Sequence, residues 1–224
     1  MLSAATATPT RAAAGPVLDI RPLLAARPQE DPYPWITASG CLRPESLAAL
    51  ERDFPALARP GYHPVRHFTP RGAFAELLAE IEDGVLDRAM ADRFGIDAGN
   101  LPRLVTVQQT SAARAGRPHT DSPSKVATLL IYLNRGWASP EGRIRVLRRE
   151  ALEDPVAEIG PEAGNVFAFL RSEQSWHGHT PFEGERRVVQ VAWLRDAADL
   201  ERKQRNHRLG WLLKGLGWPG RPRM

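Results

Sequence analysis

Cysteine is almost absent from this chain of 224 residues, and its scarcity excludes several kinds of protein. Because Cys41 is the only cysteine, no intramolecular disulfide can form, and a metal site built on several thiolates is excluded. This usage is typical of a reducing compartment, and we predict a cytoplasmic location. Any metal site must therefore be built from histidine and carboxylate side chains.

Long apolar runs and nucleic-acid motifs are also missing. No apolar stretch approaches the roughly 18–20 residues that cross a bilayer, so no membrane partner is predicted. The formal net charge is +4, with arginine as its main source, but no basic motif interleaved with aromatic residues is present. A nucleic-acid partner is therefore not expected.

A change of pattern near residue 102 divides the chain into a helical part and a β-rich part. We predict one domain over residues 16–216, with helical support over about 40–100 and a core of strands over about 102–195. A basic amphipathic helix is predicted over about 197–213. Residues 1–15 are rich in Ala and Thr and are predicted to form a disordered tail, with a transit peptide as the alternative.

The helical part contains two amphipathic patterns. The first begins at Pro44, places Leu47, Leu50 and Phe54 at helical spacing, and ends at Pro55. The second predicts one helix from about 73 to 94. Both apolar stripes are expected to face the core.

The β-rich part contains five short runs separated by Gly and Pro turns. These runs cover residues 104–110, 126–133, 143–147, 164–170 and 187–194. Several short strands at such spacing predict a sandwich or barrel rather than a parallel sheet.

His119-Thr120-Asp121 is the sequence feature that most directly indicates chemistry. On an extended strand, residues two apart point to the same face, so both side chains can reach one ion. A third ligand would complete a set of two histidines and one carboxylate, which leaves coordination positions of Fe(II) open. His177 and His179, two residues apart after an apolar strand, both qualify as the third ligand. His63 and His67 are four apart, but Pro64 between them opposes a zinc-binding helix, and a loop is expected there.

A longer set of motifs surrounds these residues and resembles the Fe(II)/2-oxoglutarate-dependent dioxygenases, specifically their prolyl-4-hydroxylase-like branch. The similar segments run from about 104 to 194 and include PHTDS, KVATLLIYLN, EGRIRVL, PEAGNVFAF, SWHGH and GERRVVQVAW. The resemblance implies a mainly β fold with N-terminal helices, in which packing helices support a double-stranded β-helix, or jelly-roll. One departure is Glu141 before Gly142, where the family often has two glycines.

The resemblance also implies the site. His119, Asp121 and His177 become the iron ligands, and His179 becomes a neighbour. Tyr132 and a basic residue at the start of the last strand would bind the distal carboxylate of 2-oxoglutarate. Gln109, about ten residues before His119, would line the same pocket.

Both Arg186 and Arg187 qualify as the basic residue. If Arg186 points inward, Val188 and Gln190 share its face, while Val189, Val191 and Trp193 face the helices. Large apolar residues then occupy the outward face, which is the arrangement usual in the family. We therefore predict that Arg186 binds the carboxylate.

The implied activity is a dioxygenase reaction with Fe(II), 2-oxoglutarate and O₂ as cofactors, ascorbate as a stimulant, and succinate and CO₂ as products. The substrate is expected to be a side chain in a polypeptide, such as proline, or a small molecule. Because related halogenases lack the carboxylate ligand, Asp121 indicates hydroxylation. The alternatives are a cupin-like metal protein and a catalytically silent binding module. Basic residues of the predicted hairpin would either attract an acidic substrate or form a solvated surface: Arg143, Arg145, Arg148 and Arg149.

Overall fold

The computed structural model describes residues 16–205. Its helices are α1 (Arg21–Ala25), α2 (Leu47–Asp53), α3 (Gly72–Glu82) and α4 (Val85–Phe94), followed by a helical segment over 197–205 that we label α5. The predicted tail 1–15 and the predicted helix beyond 205 lie outside the described residues. The domain boundaries 16–216 remain a prediction.

Within residues 16–205, nine strands form two antiparallel sheets. The strands are β1 (Trp35–Ala38), β2 (His63–Pro64), β3 (Arg103–Ser111), β4 (Lys125–Tyr132), β5 (Ile144–Leu147), β6 (Pro155–Ile159), β7 (Val166–Leu170), β8 (His177–Gly178) and β9 (Gly184–Leu194). The larger sheet has the order β1-β7-β4-β9-β3-β2, and the smaller sheet has the order β6-β5-β8. All five predicted strands are present, with ends that differ by a few residues.

The helix predicted over 73–94 is in fact two helices. Gly84 lies between α3 and α4 with φ +79°, a left-handed conformation that favours glycine and ends the first helix. The continuous apolar stripe hid this break, because Ile81 and Leu86 on either side of it are both buried in the same core.

Of the three apolar clusters in the described residues, the two larger ones lie on opposite faces of the larger sheet. Val189, Val191 and Trp193 of β9 pack with the helices in the first core. Val188 of the same strand packs in the second core with Ile144 and Val146 of the smaller sheet. Successive residues of β9 therefore enter different cores, as the alternation of a strand buried on both faces requires.

No helix in the described part of the chain is both long and apolar enough to span a membrane. Cys41 is buried and free. The cytoplasmic location remains a prediction.

Candidate functional site

Three predicted side chains converge at one end of the smaller sheet. His119 and His177 pair as an isolated antiparallel bridge, in which each backbone N–H donates to the other carbonyl at 2.9 and 3.0 Å. One ligand atom each from His119, Asp121 and His177 lies within 4.8 Å of the other two. In residues 16–205 no second group of this kind is found, so His63 and His67 belong to none.

The backbone orients both imidazole rings. His119 Nδ1 lies 2.9 Å from the carbonyl oxygen of Arg117, and His177 Nδ1 lies 2.9 Å from that of Ser175. A carbonyl oxygen only accepts hydrogen bonds, so each Nδ1 carries the proton and each neutral ring offers Nε2 as a ligand. Burial lowers the pKa of His177 to about 4, which keeps this ring neutral at neutral pH.

His179 lies outside the metal-ligand group although it is buried nearby. Its Nδ1 donates to the carbonyl oxygen of Thr180 at 2.8 Å, and its ring packs against Gly116. A Cβ at Gly116 would lie 2.3 Å from the His179 ring, so this contact requires glycine, as does the φ of +85°. The structure therefore brings His177, and not His179, together with the other two residues.

Asp121 is held from two sides. Lys125 Nζ donates to Oδ1 at 2.8 Å, and Thr128 Oγ1 donates to Oδ2 at 2.6 Å. Burial alone would raise the pKa of Asp121, but the charge of Lys125 and these two hydrogen bonds hold it below its usual range. The carboxylate is thus charged and fixed in orientation. Neither Lys125 nor Thr128 was assigned a role from the sequence.

We expect Lys125→Met to destabilise the metal-free protein. Removing a hydrogen bond to a charged group typically costs about 1.5–3 kcal/mol, and here it also leaves a buried carboxylate without its cation. Urea unfolding would measure the loss, which added Co(II) should reduce because the metal supplies positive charge at Asp121. Lys125→Arg is the matched control. Equal stability of Lys125→Met and wild type would contradict this role of the ion pair.

Arg186 lies on the inner face of β9, as the alternation predicts. It is 1% exposed, Nε donates to the carbonyl oxygen of Gly142 at 2.8 Å, and Nη2 lies 3.3 Å from the Tyr132 hydroxyl. No carboxylate of the described residues forms an ion pair with it. An unpaired buried charge is costly, so this guanidinium is suited to an anionic ligand.

Two tyrosines lie beside Arg186. Tyr132 is fully buried, and burial raises its pKa although Arg186 opposes this. Tyr62 also has its pKa raised by burial, against the charge and hydrogen bond of Arg186. Both hydroxyls are therefore protonated at neutral pH and can donate to an anion. Tyr62 was missed because it lies in a Pro/Gly-rich segment without periodicity.

Gln109 does not line the pocket, contrary to our expectation. Its Oε1 accepts a hydrogen bond from the Leu57 amide at 2.7 Å. Gln108 lines the cavity instead, 3% exposed, and its Nε2 is buried without a hydrogen-bond partner. The alternation of buried Val105 and Val107 with polar Thr106 and Gln108 was the available signal. A spacing of ten residues from His119 could not reveal it.

Side chains from the metal group and from the surroundings of Arg186, although not Asp121 or Tyr132, line one cavity of about 150 Å³. Its polar lining comprises Tyr62, Gln108, His119, Thr128, His177, His179, Arg186 and Gln190. Leu130 and Ile144 supply apolar walls. The cavity thus combines two histidines of the candidate metal group with a buried cation, as binding a small chelating anion would require.

Comparison with known proteins agrees with this arrangement. Residues 105–195 match the family model described as the 2OG-Fe(II) oxygenase superfamily. No curated protein sequence matches the chain significantly.

Two solved structures share the fold at low sequence identity. A prolyl-4-hydroxylase from Pseudomonas putida is 21% identical with a TM-score of 0.52, and the match covers 72% of this chain and 92% of that one. A viral collagen prolyl hydroxylase from Paramecium bursaria Chlorella virus-1, solved as a 2OG complex, is 16% identical with a TM-score of 0.52, with 74% and 98% covered. The predicted jelly-roll fold is thereby confirmed.

Proposed function

We propose, from the match of residues 105–195 to the model of the 2OG-Fe(II) oxygenase superfamily, that this protein is an Fe(II)- and 2-oxoglutarate-dependent hydroxylase. The observation that carries the proposal is Arg186, 1% exposed and without a carboxylate partner in the described residues, in the same cavity as His119 and His177. A buried cation at that position is suited to the distal carboxylate of a diacid.

The residues divide into two groups by role. His119, Asp121 and His177 would hold Fe(II), whose preference for imidazole and carboxylate fits this donor set. Arg186 and Tyr132 would bind the distal carboxylate of 2-oxoglutarate. When bound, the metal would supply the activation of O₂. The chain orients its ligands through Lys125 and Thr128 and excludes water with apolar walls.

The proposed reaction is hydroxylation. One oxygen atom of O₂ enters a C–H bond of the substrate as a hydroxyl group, and the other enters succinate as 2-oxoglutarate loses CO₂. Asp121 supports hydroxylation over halogenation, because as a metal ligand it would leave no vacated carboxylate position for a halide. A cupin-like protein without a 2-oxoacid would have no evident use for buried Arg186, and a silent binding module would not need the three ligands.

For the substrate, we propose a side chain of a polypeptide. A cavity of about 150 Å³ lies below the roughly 300–1,000 Å³ of pockets that enclose drug-sized ligands. With 2-oxoglutarate inside, the substrate can insert only its reacting side chain. Two solved structures of this fold are named prolyl hydroxylases, which makes proline the first residue type to test.

Binding and turnover test the proposed function. Purified protein should bind 2-oxoglutarate in an Fe(II)-dependent manner, measured anaerobically by calorimetry, and should release succinate in air with ascorbate present. A mass increase of one oxygen atom in a proline-containing peptide would identify hydroxylation. Failure to bind Fe(II) and 2-oxoglutarate together would refute the proposal.

Gln108→Leu should weaken 2-oxoglutarate binding, whereas Gln109→Leu should not. Gln108 offers an unpaired buried N–H inside the cavity, and one neutral hydrogen bond contributes about 1 kcal/mol, or roughly a fivefold change in KM for 2-oxoglutarate. Gln109 is the matched control, because its side chain bonds to Leu57. Equal KM values for Gln108→Leu and wild type would contradict the expectation.

A further inference from the structure

We propose that the polypeptide substrate is acidic and that it docks on an arginine rim at the mouth of the cavity. The arginine rim consists of Arg59, Arg114 and Arg117. This inference rests on the proposed function, because it names the substrate class of the same site. Three observations support it: the cavity opens beside His119, backbone hydrogen bonds fix the segments that carry the arginines, and these arginines have no ion-pair partner among the described residues.

The mouth lies at the surface next to the candidate metal group. His119 is exposed, while His177 and Arg186 are buried at 5% and 1% exposure. The metal end of the cavity is therefore nearer to solvent than the Arg186 end. Any substrate beyond the reacting side chain has to lie outside, across the residues that surround His119.

One wall of the mouth is the loop over residues 112–118. Ala115 and Gly116 line the cavity, and exposed Arg114 and Arg117 flank them in the sequence. The loop is fixed to the site, because the His179 N–H donates to the Gly116 carbonyl oxygen at 2.7 Å. The two guanidinium groups thus extend from a backbone of defined position.

A second wall brings the third cation. Gly61 and Tyr62 line the cavity, and exposed Arg59 lies two residues before Gly61. The Gly61 N–H donates to the carbonyl oxygen of Thr110 at 3.1 Å, which joins this segment to the end of β3 from which the first wall departs. Exposed arginines therefore lie within two residues of the lining residues in both walls.

None of the three rim arginines has an ion-pair partner among residues 16–205. The hairpin arginines that the sequence suggested for this role differ, because acids neutralise most of them. Arg145 pairs with Glu158 at 2.8 Å, and Arg148 pairs with Asp31 at 2.5 Å. Arg143 lies 3.9 Å from Glu158. Among the described residues, the arginine rim therefore keeps its positive charge unpaired next to the segments that line the cavity.

Unpaired rim charges attract an acidic chain over a distance and orient it on arrival. A polypeptide with Asp or Glu near the reacting residue would place carboxylates opposite these guanidinium groups. Guanidinium binds carboxylate with two parallel hydrogen bonds, which adds orientation to attraction. A basic chain would be repelled.

Fluorescence anisotropy with labelled 20-residue peptides of Glu, Gln or Lys tests the proposal on the full chain. We expect the Glu peptide to bind at least about tenfold more tightly than the Gln peptide at low salt, and the Lys peptide not to bind. The double variant Arg59→Glu/Arg114→Glu, which changes one arginine beside each wall, should lose this preference. Arg149→Glu, an exposed charge reversal outside the rim, is the control and should keep it.

Three results would overturn the proposal: equal binding of Glu and Gln peptides, unchanged binding by the double variant, or tighter binding of a single-stranded oligonucleotide than of the Glu peptide. Calorimetry of Co(II) and 2-oxoglutarate binding separates the two proposals, because the double variant should bind both as wild type does. Loss of peptide binding with intact co-substrate binding supports the arginine rim. Absence of co-substrate binding in wild type would instead refute the proposed function.

Discussion

His177→Ala is expected to abolish metal binding, whereas His179→Ala is expected to retain it. Loss of an outer hydrogen-bond partner typically lowers metal affinity 10–100-fold, so loss of a ligand should lower it by more than about 100-fold. Succinate formation should fall with it. Calorimetry with Co(II), and turnover with Fe(II), would measure the two effects.

His179→Ala is a suitable control for His177→Ala, because the two histidines have similar surroundings but different positions relative to His119 and Asp121. Both are buried, both donate from Nδ1 to a backbone carbonyl, and burial lowers both pKa values to about 4. Only His177 belongs to the group whose ligand atoms lie within 4.8 Å of one another. Circular dichroism would verify that each variant folds. Retention of metal by His177→Ala together with its loss from His179→Ala would reverse the ligand assignment.

Arg186→Leu should raise the KM for 2-oxoglutarate by at least about 30-fold. Truncating one partner of a buried, hydrogen-bonded charge pair costs about 2–5 kcal/mol, and each 1.4 kcal/mol is a factor of ten. Metal affinity should change much less, because Asp121, His119 and His177 remain. Steady-state kinetics of succinate formation would give the KM, and calorimetry would give the metal affinity. Arg186→Lys should recover part of the loss, since it keeps the charge but not the two-pronged geometry.

Arg187→Leu is the control for this prediction. Arg187 lies on the other face of β9, with its guanidinium carbon 5.1 Å from the centre of the Phe54 ring and Nη1 3.3 Å from the Glu51 carbonyl oxygen. Its loss should affect packing against α2 and leave the KM for 2-oxoglutarate unchanged. A larger increase in the KM for 2-oxoglutarate from Arg187→Leu than from Arg186→Leu would show that Arg187, and not Arg186, binds the carboxylate.

The strands were predictable because their signal is local. A run of β-branched and aromatic residues between turns predicts a strand, and alternation assigns each side chain to a face. Arg186 was placed on the inner face in this way, whereas Tyr132 was assigned from the family resemblance. Four strands were missed. β2 and β8 have two residues each, too few to show a period, and β1, β2 and β8 pair with strands distant in the sequence. β6 pairs with the preceding strand β5, but Ile159 is its only buried residue.

It was harder to predict from the sequence which of two neighbouring residues enters the cavity. Gln108 enters the cavity and Gln109 does not, because β3 pairs regularly with β9 up to Gln108 and shifts register only after it. A count of residues from His119 crosses that shift and the loop 112–118, so it gives the wrong face. In a strand, an error of one position reverses the direction of a side chain.

The sequence by itself determined the kind of protein: too little cysteine for thiolate chemistry, a β-rich core with helices before it, and a His-x-Asp pair with a later histidine. The tertiary structure decided how these parts act together. It placed Lys125 on Asp121, brought Tyr62 from the helical half to Arg186, and neutralised Arg145 and Arg148 while leaving the arginine rim unpaired. Hydrogen bonds, ion pairs and burial depend on contacts between residues that are far apart in the sequence. A local sequence pattern does not specify those contacts.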